Sequence, residues 1–165
     1  SAMIPFSEAC DRMEEYDRKV PARVEDYFYR GGLNCAESTL RVLIEREIID
    51  APLRCTAMMS GFGGGLQRGL VCGAVTGAVA ALGWVFGRVE PGAPREPSAR
   101  AVKEFLARFE DVFHAVECDT LRQINSPGQE LKSDGMYSHC ALVVRTAAHI
   151  AASIIQENTD WKTAR

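Results

Sequence analysis

The chain has 165 residues, 47% hydrophobic and 25% charged, an ordinary globular composition with enough length for one domain and one sizeable core. Its 19 basic and 22 acidic residues leave a formal charge of -3, which excludes a general attraction to phosphate backbones, so no nucleic-acid partner is expected. The first residues hold Glu8, Asp11, Glu14 and Glu15 and do not resemble a secretory leader. The expected location is therefore cytoplasmic, a reducing compartment in which six cysteines point to metal or redox chemistry rather than a disulfide scaffold.

Hydrophobic periodicity predicts helices along almost the whole chain. Two N-terminal pieces, Phe6–Lys19 and Ala22–Arg30, are broken at Pro21, and Gly31-Gly32 ends the second. A helix over Cys35–Ile48 turns Ala36, Leu40, Leu43, Ile44 and Ile48 inward, with Asn34 as N-cap and Glu37 placed to complete a capping box. A short helix over Leu53–Ser60 leads into the run Gly61-Phe62-Gly63-Gly64-Gly65, and a glycine-rich helix follows over Leu70–Gly87. The loop Pro91–Pro97 precedes an amphipathic helix over Ser98–Val116, whose apolar stripe holds Phe105, Phe109 and Phe113. The last helix, His139–Glu157, follows the Asp134-Gly135 turn, with Ser138 as its cap. No run alternates with a period of two, so no strand is expected. The predicted fold class is all-α: one helical domain over residues 1–165, a bundle in which antiparallel helices surround the glycine-rich helix.

Two other uses of the central segment are weighed and set aside. The nineteen residues 69–87 carry no formal charge, and Gly69, Gly73 and Gly77 fall four apart as in membrane helix dimers. Their Gly, Ala and Val composition, with Thr76 among them, favours a buried helix in a soluble bundle. The Gly61–Gly65 run aligns poorly with a dinucleotide fingerprint, because Leu66 stands where the last glycine belongs, and Arg68-Gly69-Leu70 does not complete a P-loop. No nucleotide is expected. The glycines are assigned to close backbone approach around Cys72.

The cysteines stand out by position. Cys35 and Cys140 fall at predicted helix starts and Cys72 in the first turn of the glycine-rich helix. There, unpaired amides and the helix dipole favour a thiolate, the form that binds metal and attacks disulfides. Cys118 is placed at the end of the long amphipathic helix, between Glu117 and Asp119. Against this stands the ordinary behaviour of free cysteine as a small buried hydrophobe, and Cys10 and Cys55 are read that way. Without any Cys-x-x-Cys pair a zinc ribbon is disfavoured. His114, His139 and His149 are read as packed or surface residues, because His139 and Cys140 are neighbours on a helix and do not face each other. Thr76, one turn from Cys72, is placed to bond either to its sulfur or to the backbone.

Cys72-Gly73-Ala74-Val75-Thr76-Gly77, together with Leu33-Asn34-Cys35-Ala36-Glu37 and the lone Cys118 and Cys140, resembles the C_GCAxxG_C_C family of redox-active proteins. The resemblance covers about residues 27–157 and leaves the helix at 6–19 as an addition. It implies that Cys35, Cys72, Cys118 and Cys140 act together, either as ligands of an iron-sulfur cluster or another thiophilic metal, or as redox thiols with Cys72 as the attacking group. A related domain in split-Soret cytochromes is associated with an iron-sulfur centre, but this chain lacks Cys-x-x-Cys-His, so no covalently bound c-type haem is expected. Family members are often encoded near transporter genes, which implies a functional link to a transporter. An unidentified redox partner protein is expected, and a homo-oligomer is compatible with the chain. Three functions stay open here: electron transfer through a metal centre, metal-free thiol-disulfide exchange or redox sensing, and a non-enzymatic helical binding module.

Overall fold

A computed structural model describes Tyr27 and residues 32–125 and 139–158. The predicted helices Phe6–Lys19 and Ala22–Arg30, Cys10, the Asp134-Gly135 turn and the Ser138 cap lie outside the described residues, Tyr27 excepted. Helix α1, Cys35–Glu45, begins with the expected capping box. The Asn34 side chain accepts from the Glu37 amide at 2.9 Å, and the Asn34 amide donates to the Glu37 carboxylate at 3.0 Å. The helix ends three residues before the expected Ile48. Glu47 turns to φ 57°, and the amides of Ile48 and Ile49 fold back onto the Leu43 carbonyl at 3.1 and 3.4 Å.

The short helix expected over Leu53–Ser60 is a 3-10 helix, Leu53–Phe62. With three residues per turn, Thr56 and Met59 share one edge, and these are its buried residues. Helix α2, Gly73–Phe86, starts after Cys72 rather than at Leu70. Its 14 residues span about 21 Å at 1.5 Å per residue, against roughly 30 Å for a bilayer core. No helix among the described residues is long and apolar enough to cross a membrane. Instead α2 is the central helix of the bundle, packed against α1 and against the helices α3 and α5 described next. Ala74, Ala78, Ala81 and Leu82 are fully excluded from solvent.

Helix α3, Glu96–Phe113, starts two residues earlier than expected because Pro97 occupies a first-turn position, where its missing amide has no helical partner to lose. It stops at Phe113 rather than Val116: His114 takes the left-handed φ of 62°, and its amide closes on the Glu110 carbonyl at 2.7 Å. The buried rings of Phe105, Phe109 and Phe113 form a ladder with centroids 5.8 and 4.9 Å apart. Each such pair adds about 0.5–1.5 kcal/mol beyond its buried area. The chain then turns and starts helix α4, Cys118–Asn125, which the sequence reading did not anticipate. Helix α5, His139–Glu157, has the expected bounds and buries Ala147, Ala148, Ala151 and Ala152. Arg108 ties α3 to the end of α5 by donating to both Glu157 oxygens at 2.9 and 3.2 Å. Extended pairing among the described residues is limited to one antiparallel bridge, Val71 with Glu117.

Two glycines of α2 separate packing from propensity. A Cβ at Gly77 would lie 2.6 Å from the Ala36 carbonyl, whereas one at Gly83 would meet nothing within 4 Å. Gly77→Ala is expected to lower stability by about 1–3 kcal/mol through overpacking against backbone. Gly83→Ala is expected to raise it by about 0.5–1 kcal/mol through helix propensity. Urea denaturation of both variants checks the pair.

Candidate functional site

Each of the four family-type cysteines starts a helix. Cys35 is the first residue of α1, Cys72 is the N-cap of α2, Cys118 is the first residue of α4 and Cys140 is the second residue of α5. For Cys118 this corrects the expectation that it closes the long amphipathic helix, since the left-handed His114 ends α3 four residues earlier. For Cys72 it moves the thiol from the first turn to the cap. The restart of the apolar period at Leu121 and Ile124, with Arg122 and Gln123 between and Asp119 and Thr120 before, was the available sign of α4.

Three local devices bring these helix starts together. The first is the glycine pair of the Cys-Gly-Ala-x-x-Gly segment. A Cβ at Gly73 would stand 3.1 Å from the Cys35 Cβ and 3.0 Å from the Ala36 amide nitrogen, so the missing side chain is what admits α1 beside Cys72. The second is the bridge at Val71 and Glu117. The Cys72 amide donates to the Val116 carbonyl at 2.7 Å and the Cys118 amide donates to the Leu70 carbonyl at 2.6 Å. These bonds make Val71 and Glu117 a non-hydrogen-bonded pair, and side chains alternate along each strand, so Cys72 and Cys118 project from the same face of the ribbon. As diagonal neighbours their Cα atoms are roughly 7–8 Å apart.

The third device is a left-handed turn. Gly64, Gly65, Leu66 and Gln67 in succession hold φ between 58 and 63°. For Leu66 and Gln67 this costs roughly 1–2 kcal/mol each. The turn is closed by the Leu70 amide donating to the Gly65 carbonyl at 2.9 Å. Gly69, at φ 70°, then passes so close to Asp119 that a Cβ would fall 2.1 Å from its carboxylate. Within the run itself, close approach is required at Gly63, where a Cβ would lie 2.8 Å from the Asn34 side chain, and at Gly65, 2.5 Å from the Leu70 backbone, but not at Gly61 or Gly64, where it would meet nothing within 4 Å.

The four thiols occupy one neighbourhood. Cys35 shares a hydrogen bond with Cys140 and feels the charge of Cys72, Cys118 and Cys140; Cys72 feels Cys118 and Cys140, and Cys118 feels Cys140. All six pairs are therefore within electrostatic reach of one another. Cys55, half-buried in the 3-10 stretch, is not among the neighbours that shift them. Thr76 donates to the Gly73 carbonyl at 3.1 Å and so bonds to backbone, the plainer of its two expected uses. His114 serves as the cap of α3.

Electrostatically the site departs from the expectation that helix starts would lower these thiol pKa values. The hydrogen bond to Cys140, then burial and the other three thiols, hold Cys35 well above the usual thiol range. Burial pushes Cys72 up to about 12, against the opposing pull of the Ala74 and Val75 amides, neither of which closes a capping hydrogen bond to the sulfur. Cys118 is raised by burial, with Arg122 one turn on pulling the other way. Desolvation therefore outweighs the helix ends, because Cys72 and Cys118 are only 5% and 8% exposed.

The chemistry of this donor set, four soft thiols and no carboxylate among them, fits a thiophilic metal or an iron-sulfur cluster. Among the described residues no group of three or more His, Cys, Asp or Glu side chains is arranged to hold a metal ion, and metal binding by thiols requires them to shed their protons. Ser38, one turn beyond Cys35 and fully buried, has a hydroxyl with no hydrogen-bond partner. Such an unsatisfied group costs about 1–3 kcal/mol.

Residues 33–154 match the family model described as "Putative redox-active protein (C_GCAxxG_C_C)". No curated protein and no solved structure matches the chain at a significant level.

A pH dependence follows from Cys72. With its thiol raised from 9.0 to about 12, the folded metal-free protein keeps between those values a proton that the unfolded chain has released. Stability therefore falls as pH rises through this window and is intact below it. Urea midpoints of reduced, metal-free protein are expected to decline from pH 9 to pH 11, and Cys72→Ser to flatten that decline. Equal declines in parent and variant would show that Cys72 is not held as a buried neutral thiol.

Proposed function

Because the chain belongs to the C_GCAxxG_C_C family of redox-active proteins, we propose that Cys35, Cys72, Cys118 and Cys140 are one ligand set for an iron-sulfur cluster or another thiophilic metal, and that the protein transfers electrons. The observation that carries this reading is the mutual reach of all four thiols, each delivered by a different helix start. Four convergent thiols exceed what a single disulfide uses.

When bound, such a centre supplies one-electron chemistry at a potential set by burial and by hydrogen bonds to its sulfurs. The chain's own residues set the surroundings. Gly73 and Gly77 draw α1 onto α2, and the Val71–Glu117 bridge holds Cys72 and Cys118 on one face. The Ala74 and Val75 amides favour a thiolate at Cys72, and the hydroxyl of Ser38 is available as a donor. Leu70 and Val71, 45% and 38% exposed, immediately precede the 5% exposed Cys72, so this buried thiol lies within two residues of exposed chain where a redox partner could dock.

The hydrogen bond between Cys35 and Cys140 favours a second reading. In it the two thiols close a disulfide, releasing two protons and two electrons to an oxidised partner disulfide, which becomes a dithiol. That bond would lock the start of α1 to the start of α5.

Anaerobic purification followed by iron, sulfide and zinc analysis and an absorption spectrum separates the two. Metal with charge-transfer bands is expected, and serine at Cys35, Cys72, Cys118 or Cys140 should each lower metal affinity by at least about tenfold, the loss typical even of an outer-shell partner. Cys55→Ser should change nothing. A metal-free protein that forms a Cys35–Cys140 disulfide on mild oxidation would replace the first reading with the second.

A further inference from the structure

We infer that Asn34 is a positioning residue that sets the separation of Cys35 from Cys72, an inference that rests on the four-thiol reading above. Its side chain is divided between two elements. Oδ1 accepts the Glu37 amide at 2.9 Å and starts α1, which fixes the next residue, Cys35. Nδ2 donates to the Ser60 carbonyl at 3.0 Å and so ties that helix start to the segment leading toward Cys72.

The tie is transmitted through backbone. Two residues beyond Ser60, the Phe62 carbonyl sits where a Cβ on Gly73 would lie 3.1 Å away. Ser60–Phe62 is thus held between Asn34 on one side and Gly73, the neighbour of Cys72, on the other. Gly63 closes the remaining space: a Cβ there would be 2.8 Å from both Cβ and Nδ2 of Asn34.

Capping alone does not call for asparagine. Aspartate and serine cap helices about as well, but aspartate has no donor for the Ser60 carbonyl, and the serine hydroxyl is too short to serve both partners. The residue at 34 therefore does a second job that its helix does not require.

The test uses the full-length, reduced, metal-free protein titrated with Cd(II), read by thiolate charge-transfer absorbance, with thermal unfolding alongside. Asn34→Asp and Asn34→Ser are expected to weaken Cd(II) binding about tenfold, as for a lost outer-shell contact, while the melting temperature barely moves. Glu37→Ala, which breaks the capping box but spares the bond to Ser60, should show the opposite split. Gly63→Ala, which displaces the Asn34 side chain, should reproduce the affinity loss.

Parent-like Cd(II) affinity in both Asn34 variants would overturn the inference, and so would affinity lost only in step with stability, as expected of a simple cap. If the parent protein takes up no Cd(II), the ligand reading fails first. The separation is then read without metal, by bridging Cys35 to Cys72 with dibromobimane and mapping the product by mass spectrometry. A lower bridging yield in Asn34→Asp and Asn34→Ser supports the inference, and an unchanged yield overturns it.

Discussion

Gly73 and Gly77 let α2 lie directly on the backbone of α1, with no room for a methyl group between Gly77 and the Ala36 carbonyl. Every other part of the site is arranged around that contact. Because α1 can approach, Cys35 comes beside Cys72. Because Cys72 caps α2, its amide is free of the helix and reaches the Val116 carbonyl, which draws in the start of α4 with Cys118. α5 packs on α1 and α2 together, and its second residue brings the fourth thiol. Two hydrogen atoms in place of two side chains thus determine how four separate chain segments meet, and a larger residue at either position would push apart elements far from it in sequence.

Burial and charge oppose each other at this meeting point. Helix ends supply amides that favour a thiolate, yet the same tight packing strips water from Cys72 and Cys118, and each thiol would repel the next if ionised. Without a cation the protonated cluster is the lower state. A bound cation reverses this order locally, because its own charge exceeds any dipole in the site. The left-handed turn at Gly64–Gln67 shows that the fold tolerates strain in the segment leading to Cys72, as is common where geometry is maintained for function rather than for stability.

Much of this was legible in the residues. The amphipathic stripe of Phe105, Phe109 and Phe113, the Asn34–Glu37 capping box and the bounds of α5 are written in spacing of three and four, which local physics decides. The helix stop at His114 was not, because a non-glycine residue at positive φ carries only a weak composition signal, histidine's modest enrichment there included. That one turn misplaced Cys118 at a helix end instead of a helix start. Nor could spacing reveal the raised thiol pKa values, since helix position is local whereas desolvation depends on what the rest of the chain packs around the sulfur. The Asn34 bond to Ser60 joins residues 26 apart, a contact only the tertiary structure makes visible.

The convergence of four helix starts also bears on which total charge the site accepts. Each helix N-terminus acts as roughly half a positive elementary charge, so four of them aimed at one neighbourhood approximate two. Four thiolates around a divalent ion leave two negative charges in excess. In the four-thiolate reading the starts of helices α1, α2, α4 and α5 would offset part of that excess, with Arg122, which favours an ionised Cys118, adding to them. A centre held this way would take much of its charge balance from backbone amides, while its geometry would depend on the residues that position the helix starts.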